Sequence, residues 1–343
     1  MKNIFKTFLM ATSACAMLAS HAQSAEVDGP ELEWNISLWG KPRAFTVGTE
    51  KMAELVNAKT DGNWTITLHY GGALSKSREN LDGLAIEAFE GAMACNFYHP
   101  QKNPALMALT MPMLPMSSWD DNRAMRDVVY ANPAVIAELA RWNAMPYVSS
   151  YLPQYELLGR GDKPLTLDDW AGMSVRAGGG VGQAMARLGA TPTSSAATEV
   201  YTGIQQGTMD AVAFPFTYGH VAYKIHEVAD WFTGNLSPGT SDCPVLLSVS
   251  AYEDLPDQYQ TLLADIKEEV IQAQIQSYLD IDKVNLPMLR DTLEEITYSD
   301  EVLAEFRAVA GKPVIEEWIA ENEGDFDARG LIEDMFEAVG QTY

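Results

Sequence analysis

Strand-like and helix-like stretches alternate along the first hundred residues, and that order limits the fold more than any other feature. Leu32 to Leu38 (LEWNISL) places an apolar residue at every second position, as a strand with one buried face requires. Ala44 to Lys59 then carries apolar or small residues at helical spacing, Asp61-Gly62 makes a turn, and Trp64 to Tyr70 (WTITLHY) alternates again. Ser77 to Glu90 reads as a helix closed by Gly91, and Ala92 to Phe97 (AMACNF) as a short buried strand. A βαβαβ order implies a parallel sheet with helices on its faces, and ligands of such sheets sit outside the carboxyl ends of the strands. Those ends carry Trp39, Tyr70 to Leu74, and Tyr98-His99.

A second unit of the same kind begins near Tyr151. Tyr155 to Leu158 and Met173 to Ala177 read as strands, followed by the glycine run Ala177 to Gly182 (AGGGVG) and a helix Gln183 to Leu188. A helix Thr198 to Gln206 closed by Gly207 and a strand Met209 to Phe214 follow, and then a strand Val245 to Ser250. Pro256 opens a long helix with Leu262, Leu263, Ile266, Val270, Ile271 and Ile275 on one face, which Pro287 is expected to kink or end. The remainder, to Tyr343, reads as acidic and helical. At 343 residues the chain has room for two domains. No Gly-, Ser- or Pro-rich linker separates them, so they are expected to be joined by crossing strands.

Charge and cysteine usage exclude several classes of function. With 23 Lys+Arg against 47 Asp+Glu the formal charge is -24, which repels phosphate and excludes nucleic acid or an anionic membrane face as the main partner. Residues 1–25 run from Lys2 and Lys6 through an apolar stretch, Phe8 to Ala19, to small residues around Ala22 and Ala25. That is the order of a cleaved secretory leader, ending at Ala22 or Ala25 and too short to span a bilayer. The best later candidate for a span, Ala105 to Met116, is cut by Pro112 and Pro115, so the exported chain is expected to be soluble. Cys95 and Cys243 remain after the leader is removed; an oxidising compartment allows them to pair, and the sequence leaves open whether they do.

A search for reactive motifs returns little. In the run Ala177 to Gly182 the dinucleotide pattern G-x-G-x-x-G fails in both registers, at Gln183 and at Met185. It reads instead as a tight turn at a helix start, where backbone amides still permit an anion. There is no H-E-x-x-H, G-x-S-x-G, P-loop or EF-hand pattern, and His220 and His226 are spaced for different helix faces, so neither metal nor cofactor is expected. Arg176 stands out, since it lies in a strand among small and apolar neighbours beside the glycine run. A guanidinium there must be paired, either with an internal acid or with a bound carboxylate or sulfonate that its donor fork fits bidentately.

The stretch around Arg176 resembles the extracytoplasmic solute-binding proteins of tripartite ATP-independent periplasmic (TRAP) transporters. It runs Asp169, Gly172, Arg176, then Gly189-Ala190-Thr191-Pro192, then Glu199-Val200-Tyr201, Gln205, Gly207 and Asp210. Gly72-Ala73-Leu74, Glu79 and Leu255-Pro256 extend the likeness over nearly the whole exported chain. The resemblance implies a periplasmic-binding-protein-like α/β fold: two lobes around a central cleft, joined by crossing strands and long C-terminal helices. Residues 26–150 plus 242–285 would form one lobe and 151–241 plus part of 286–310 the other, with helices of 311–343 packing across both.

It further implies a periplasmic, non-enzymatic carrier that passes a small organic anion to membrane permease subunits. Arg176 would pair with the ligand carboxylate, and the pocket-facing loops would fall on Trp39, Asn96 to His99, Gln154 to Glu156 and Phe214 to Tyr218, with Trp39, Asn96, Tyr98, His99, Glu156, Phe214 and Tyr218 as the candidate contacts. Four of these could form an aromatic wall, Trp39, Tyr98, Phe214 and Tyr218, with Glu156 as partner for a ligand amine. Phe214 stands where the family often has Asn, and Gln154-Tyr155-Glu156-Leu157 lacks the family's second Arg. Both departures favour a monoanion with an apolar, aromatic or cationic far end. The competing expectations are an exported enzyme using His99 and Glu156, and the binding protein of an ATP-driven importer.

Overall fold

The computed structural model describes residues 26–343, so the leader read at residues 1–25 lies outside the described residues. Two separate sheets organise the chain. The first contains β1 (Leu32–Ser37), β2 (Trp64–His69), β3 (Gly91–Met93), β4 (Ala144–Val148) and β10 (Val245–Ser248) in the order β2-β1-β3-β10-β4. The second contains β5 (Tyr155–Gly159), β6 (Ser174–Arg176), β7 (Thr191–Thr193), β8 (Ala211–Pro215), β9 (Trp231–Thr233) and β11 (Glu294–Ile296) in the order β11-β9-β5-β8-β6-β7.

The opening alternation behaves as read. β1 pairs in parallel with β2, Leu32 opposite Trp64, and with β3. Trp34 and Ile36 of β1 point into the core with Trp64 of β2, whose ring meets the Trp34 ring edge-on at 4.9 Å. The helix Val47–Lys59 between them buries Met52, Leu55 and Val56, and stops where Asp61 and Gly62 take left-handed backbone angles.

Chain crossings tie the two sheets together. The chain leaves the first sheet after β4, enters the second at β5, and returns after β9 to β10, which runs antiparallel to both β3 and β4. The helix Asp257–Thr292 spans 36 residues, about 54 Å at ~1.5 Å per residue. It buries Leu262, Leu263, Ile266, Val270, Ile271 and Ile275 as the sequence pattern requires. It bonds to both sides: Tyr147 donates to the Leu263 carbonyl and Tyr278 to that of Ser150, while Asp282 accepts from the Thr217 amide and hydroxyl.

Pro287 neither ends nor interrupts this helix. A proline forfeits its bond to the carbonyl four residues back, but Lys283 and Pro287 are both exposed, so water can satisfy that carbonyl. Two further expectations are shortened. The helix read at Ser77 to Glu90 is only Asn80–Ala85, because Glu87 turns left-handed and Phe89 folds back over Gly83. The strand read at Ala92 to Phe97 stops at Met93, and Asn96–Tyr98 forms a 3-10 turn that brings Cys95 into a disulfide with Cys243. In the last segment, helices Lys312–Asn322 and Ala328–Glu337 bury Ile315, Trp318, Ile319, Leu331, Ile332 and Met335 against a cluster that includes Leu106, Leu109 and Val129, and Arg187 pairs with Glu317.

The glycine run is a close-packing device. A Cβ on Gly178 would meet the Phe97 ring at 2.6 Å, and one on Gly180 would meet the Thr110 carbonyl oxygen at 2.4 Å. The Gly180 amide donates to Thr110 Oγ1 at 3.1 Å, so this amide serves the contact between the two sides rather than an anion. Gly180→Ala should therefore hold the two sides apart. Its expected signature is ligand binding at least about tenfold weaker, as one mismatched interfacial contact allows, with no contraction in small-angle scattering when ligand is added. Contraction equal to that of the wild type would count against this role.

Two buried histidines contribute to the loss of stability on the acid side. Burial, with help from Lys102, lowers His99 to about 4, and burial lowers His220 to about 3. The unfolded chain takes up these protons first as pH falls, so the stability gained by keeping each ring neutral is complete above about pH 6.5 and is lost toward the folded values. Burial raises Glu138 and Glu156 to about 7, which acts oppositely: the folded state holds those protons longer, and their contribution declines as pH rises from about 4.5 to 7. Taking the difference between wild type and His220→Gln isolates the histidine. Between pH 7 and 5 the variant should lose about 2 kcal/mol less in urea unfolding than wild type; equal losses would contradict the assignment.

Candidate functional site

Between the two sheets, side chains from both sides close around one small cavity of about 20 Å³. The first side supplies Trp39 beyond the carboxyl end of β1, Phe45, and the turn Cys95, Phe97, Tyr98 beyond β3. The second supplies Tyr155 of β5, Arg176 at the end of β6, Phe214 and Pro215 at the end of β8, Tyr218 of the short helix Tyr218–Ala222 that follows, and Tyr223 just beyond it. The Cys95–Cys243 disulfide forms part of the wall.

Arg176 is 1% exposed and has no carboxylate partner among the described residues. Its Nε donates to the Ser195 carbonyl (3.1 Å), Nη1 to the Ala213 carbonyl (3.2 Å) and Nη2 to Tyr98 Oη (3.3 Å). A guanidinium has five N–H groups, so one remains on each terminal nitrogen, the pair a carboxylate takes bidentately. Its central carbon lies 4.7 Å from the Phe214 ring centre and 5.5 Å from that of Phe97, which excludes water from its faces. Tyr98 Oη also accepts from the Ala197 amide at 2.9 Å, so one phenol from the first side bridges two groups of the second.

The site is cationic despite the acidic chain. Burial pushes the Tyr155 and Tyr223 hydroxyls up to about 12 and that of Tyr218 well above its usual value, so all three are neutral at pH 7. The screening length near 10 Å at ~0.1 M salt keeps the exposed acids from governing this interior. Trp39 and Ala197 also line a larger neighbouring cavity of about 260 Å³, whose wall carries Lys76 and Arg78 together with Glu79 and Glu199.

Of the expected site residues, Trp39, Tyr98, Arg176, Phe214 and Tyr218 surround one cavity, and Asn96, His99 and Glu156 do not. Asn96 is spent on local structure, donating to the Leu106 carbonyl and accepting from the Phe97 amide. His99 lies outside the cavity wall, buried near Lys102 and Asp82. Glu156 cannot meet a ligand amine here. Strand residues alternate sides, so the face that turns Tyr155 to the cavity turns Glu156 away. Its carboxylate accepts from the Thr233 hydroxyl (2.6 Å), the amides of Leu236 (3.1 Å) and Ser237 (2.9 Å), and the Ser237 hydroxyl (2.8 Å). Phe97 and Tyr155 fall inside the loops that the resemblance assigned to the pocket, whereas sequence reasoning missed Phe45 and Tyr223, and also Arg43, which stacks on three of the lining rings. Period-two alternation in β5 separates Tyr155 from Glu156; nothing in the local sequence marks Tyr223 or Arg43.

The profile of the DctP family, described as bacterial extracellular solute-binding protein, family 7, matches residues 40–322. The chain belongs to this family. As a family 7 solute-binding protein it is 22% identical over 328 residues to a monocarboxylate 2-oxoacid-binding periplasmic protein of Nostoc sp. strain PCC 7120, covering 88% of this chain and 84% of that one. Its fold is shared with a TRAP periplasmic solute-binding protein of Desulfovibrio salexigens solved with orotic acid (TM-score 0.80, 19% identity, 89% of this chain and 98% of that one). It is likewise shared with a marine metagenome TRAP solute-binding protein specific for aromatic acid ligands, solved with 3-hydroxybenzoate (TM-score 0.78, 19% identity, 91% and 98%). The TRAP-type resemblance and the two-lobed α/β architecture are thus borne out, and the reading as an ATP-driven importer's binding protein is not favoured.

Proposed function

We propose that this family 7 protein captures a small organic carboxylate in the periplasm and hands it, chemically unchanged, to the membrane permease of a TRAP transporter. The observation that carries the reading is Arg176: a buried cation without a counter-ion among the described residues, keeping two N–H groups free of them in an aromatic cavity between the lobes. The relatives' bound or named ligands, orotic acid, 3-hydroxybenzoate and 2-oxoacids, are all carboxylic acids. Periplasmic location is supported by the family, by the disulfide and by the leader-like residues 1–25. Among the described residues no helix is long and apolar enough to cross a membrane.

The lobes proposed here are 26–150 with 242–285 and 151–241 with part of 286–310, supported by the crossings between β4 and β5 and between β9 and β10. Helices of 311–343 are proposed to pack across both, the Arg187–Glu317 pair supporting contact with the second lobe. A carrier without turnover is favoured because the family is one of solute-binding proteins and neither His99 nor Glu156 lines the cavity. Thermal-shift screening against carboxylates, sulfonates and zwitterions tests the reading. A ligand at 100 times its dissociation constant adds about 2.7 kcal/mol, and should be recovered intact after long incubation. Recovery of a product would overturn the carrier reading.

A further inference from the structure

Behind the cavity wall lies Arg43, the residue before the 3-10 turn Ala44–Thr46. Its guanidinium carbon sits 4.8 Å from the Trp39 ring, 4.6 Å from Phe45 and 5.6 Å from Tyr223, three rings of the cavity wall. Nη1 donates to the carbonyls of Trp39 (3.2 Å) and Lys41 (2.6 Å), but Nε and Nη2 are buried without a partner among the described residues. Two of the three rings carry the same deficit, since Trp39 Nε1 and Tyr223 Oη are also buried and unpartnered. Glu50, an acid seven residues further on, accepts instead from Thr46 and Tyr70. Gly40 keeps the position open, because a Cβ there would meet Arg43 Nη1 at 2.8 Å.

The two guanidiniums share one aromatic stack. Phe214 and Tyr223 lie parallel, 3° apart in plane and 5.2 Å between centres, with Arg176 against the first ring and Arg43 against the second. Arg43 belongs to the same chain segment as β1 and Arg176 to β6, so an occupant touching both would bridge the two sheets. A cluster of three unpartnered donor groups, one of them charged, calls for acceptors. It repels an ammonium group.

We propose that Arg43, with Trp39 Nε1 and Tyr223 Oη, is a second anchor that takes an oxygen acceptor at the end of the ligand remote from Arg176, ideally a second carboxylate. This rests on the carboxylate reading of Arg176 and replaces the monoanion with an apolar, aromatic or cationic far end that the sequence favoured. The signal was hidden because Arg43 lies far in sequence from the strand that was searched for a second arginine.

Calorimetry with two matched pairs of probes, butyrate with glutarate and benzoate with isophthalate, tests it on the wild type, Arg43→Gln and Arg176→Gln. In at least one pair the diacid should bind wild type at least tenfold more tightly, and Arg43→Gln should cut that ratio below threefold. Absence of the preference in both pairs, its persistence in Arg43→Gln, or an equal loss for both members of a pair would overturn the second anchor. If monoacids bind and Arg176→Gln abolishes that binding, the Arg176 reading survives such a failure. If no probe binds wild type, both readings fall together. Preference for a trimethylammonium acid such as glycine betaine over butyrate would also sink the second anchor, while leaving Arg176 in place.

Discussion

Arg176→Ala should weaken binding of the carried carboxylate by two to three decades while leaving the fold intact. Removing one partner of a buried charged pair costs at least about 3 kcal/mol, because the other charge is left desolvated and alone, and ~1.4 kcal/mol is one decade. In the free protein the balance differs. The guanidinium is buried against two carbonyls and a phenol with no acid among the described residues, so its removal relieves a desolvation cost. The urea midpoint of ligand-free Arg176→Ala should therefore equal or exceed that of wild type. Arg176→Lys keeps the charge but not the planar fork, and should fall between the two in affinity. Calorimetry and urea titration on the same three proteins check both halves. Wild-type affinity in Arg176→Ala, or its failure to fold, would contradict the assignment.

The second large effect is on stability. Replacing Cys95 and Cys243 together by Ser should cost about 2 to 5 kcal/mol, since the bond closes a loop across a sequence separation of 148 and holds the segment after β3 beside the one before β10. Reducing the wild-type protein should move its urea midpoint to that of the double variant. Because both sulfurs form part of the cavity wall, ligand affinity should fall as well. A midpoint unchanged by reduction would show that the bond contributes nothing to the folded chain.

How much of this was readable beforehand follows from what pattern can carry. LEWNISL and WTITLHY declared β1 and β2 because alternation is a local property, and Leu262 through Ile275 declared the buried face of the long helix for the same reason. Pro287 does not end its helix, because whether a freed carbonyl matters depends on its exposure, which the sequence does not state. Arg176 stood out as a cation among apolar neighbours in a strand. Glu156 was placed one side-chain flip wrong, and in a strand one residue is the difference between facing a cavity and facing the loop at Thr233 to Ser237. Tyr223 and Arg43 join the site only through the approach of two distant segments, and the pairing of Cys95 with Cys243 likewise needed three-dimensional proximity. The glycine run permitted an anion on paper, whereas in the fold Gly178 and Gly180 receive Phe97 and Thr110.

The formal charge of -24 takes its place within the same account. The acids lie mostly on the solvated exterior, while the cavity holds Arg176, neutral phenols and apolar rings. What binds is decided over a few ångströms, where exterior charges are screened by solvent and salt.

The most direct measurement is a crystal structure of the protein loaded with a carboxylate taken from the thermal-shift screen. The account predicts the carboxylate seated between the lobes against Arg176, its two oxygens each within about 3.2 Å of a guanidinium nitrogen, and the rest of the ligand held between the rings of Trp39, Phe214 and Tyr223. A carboxylate bound elsewhere, with Arg176 paired to an acid of its own chain, would contradict it.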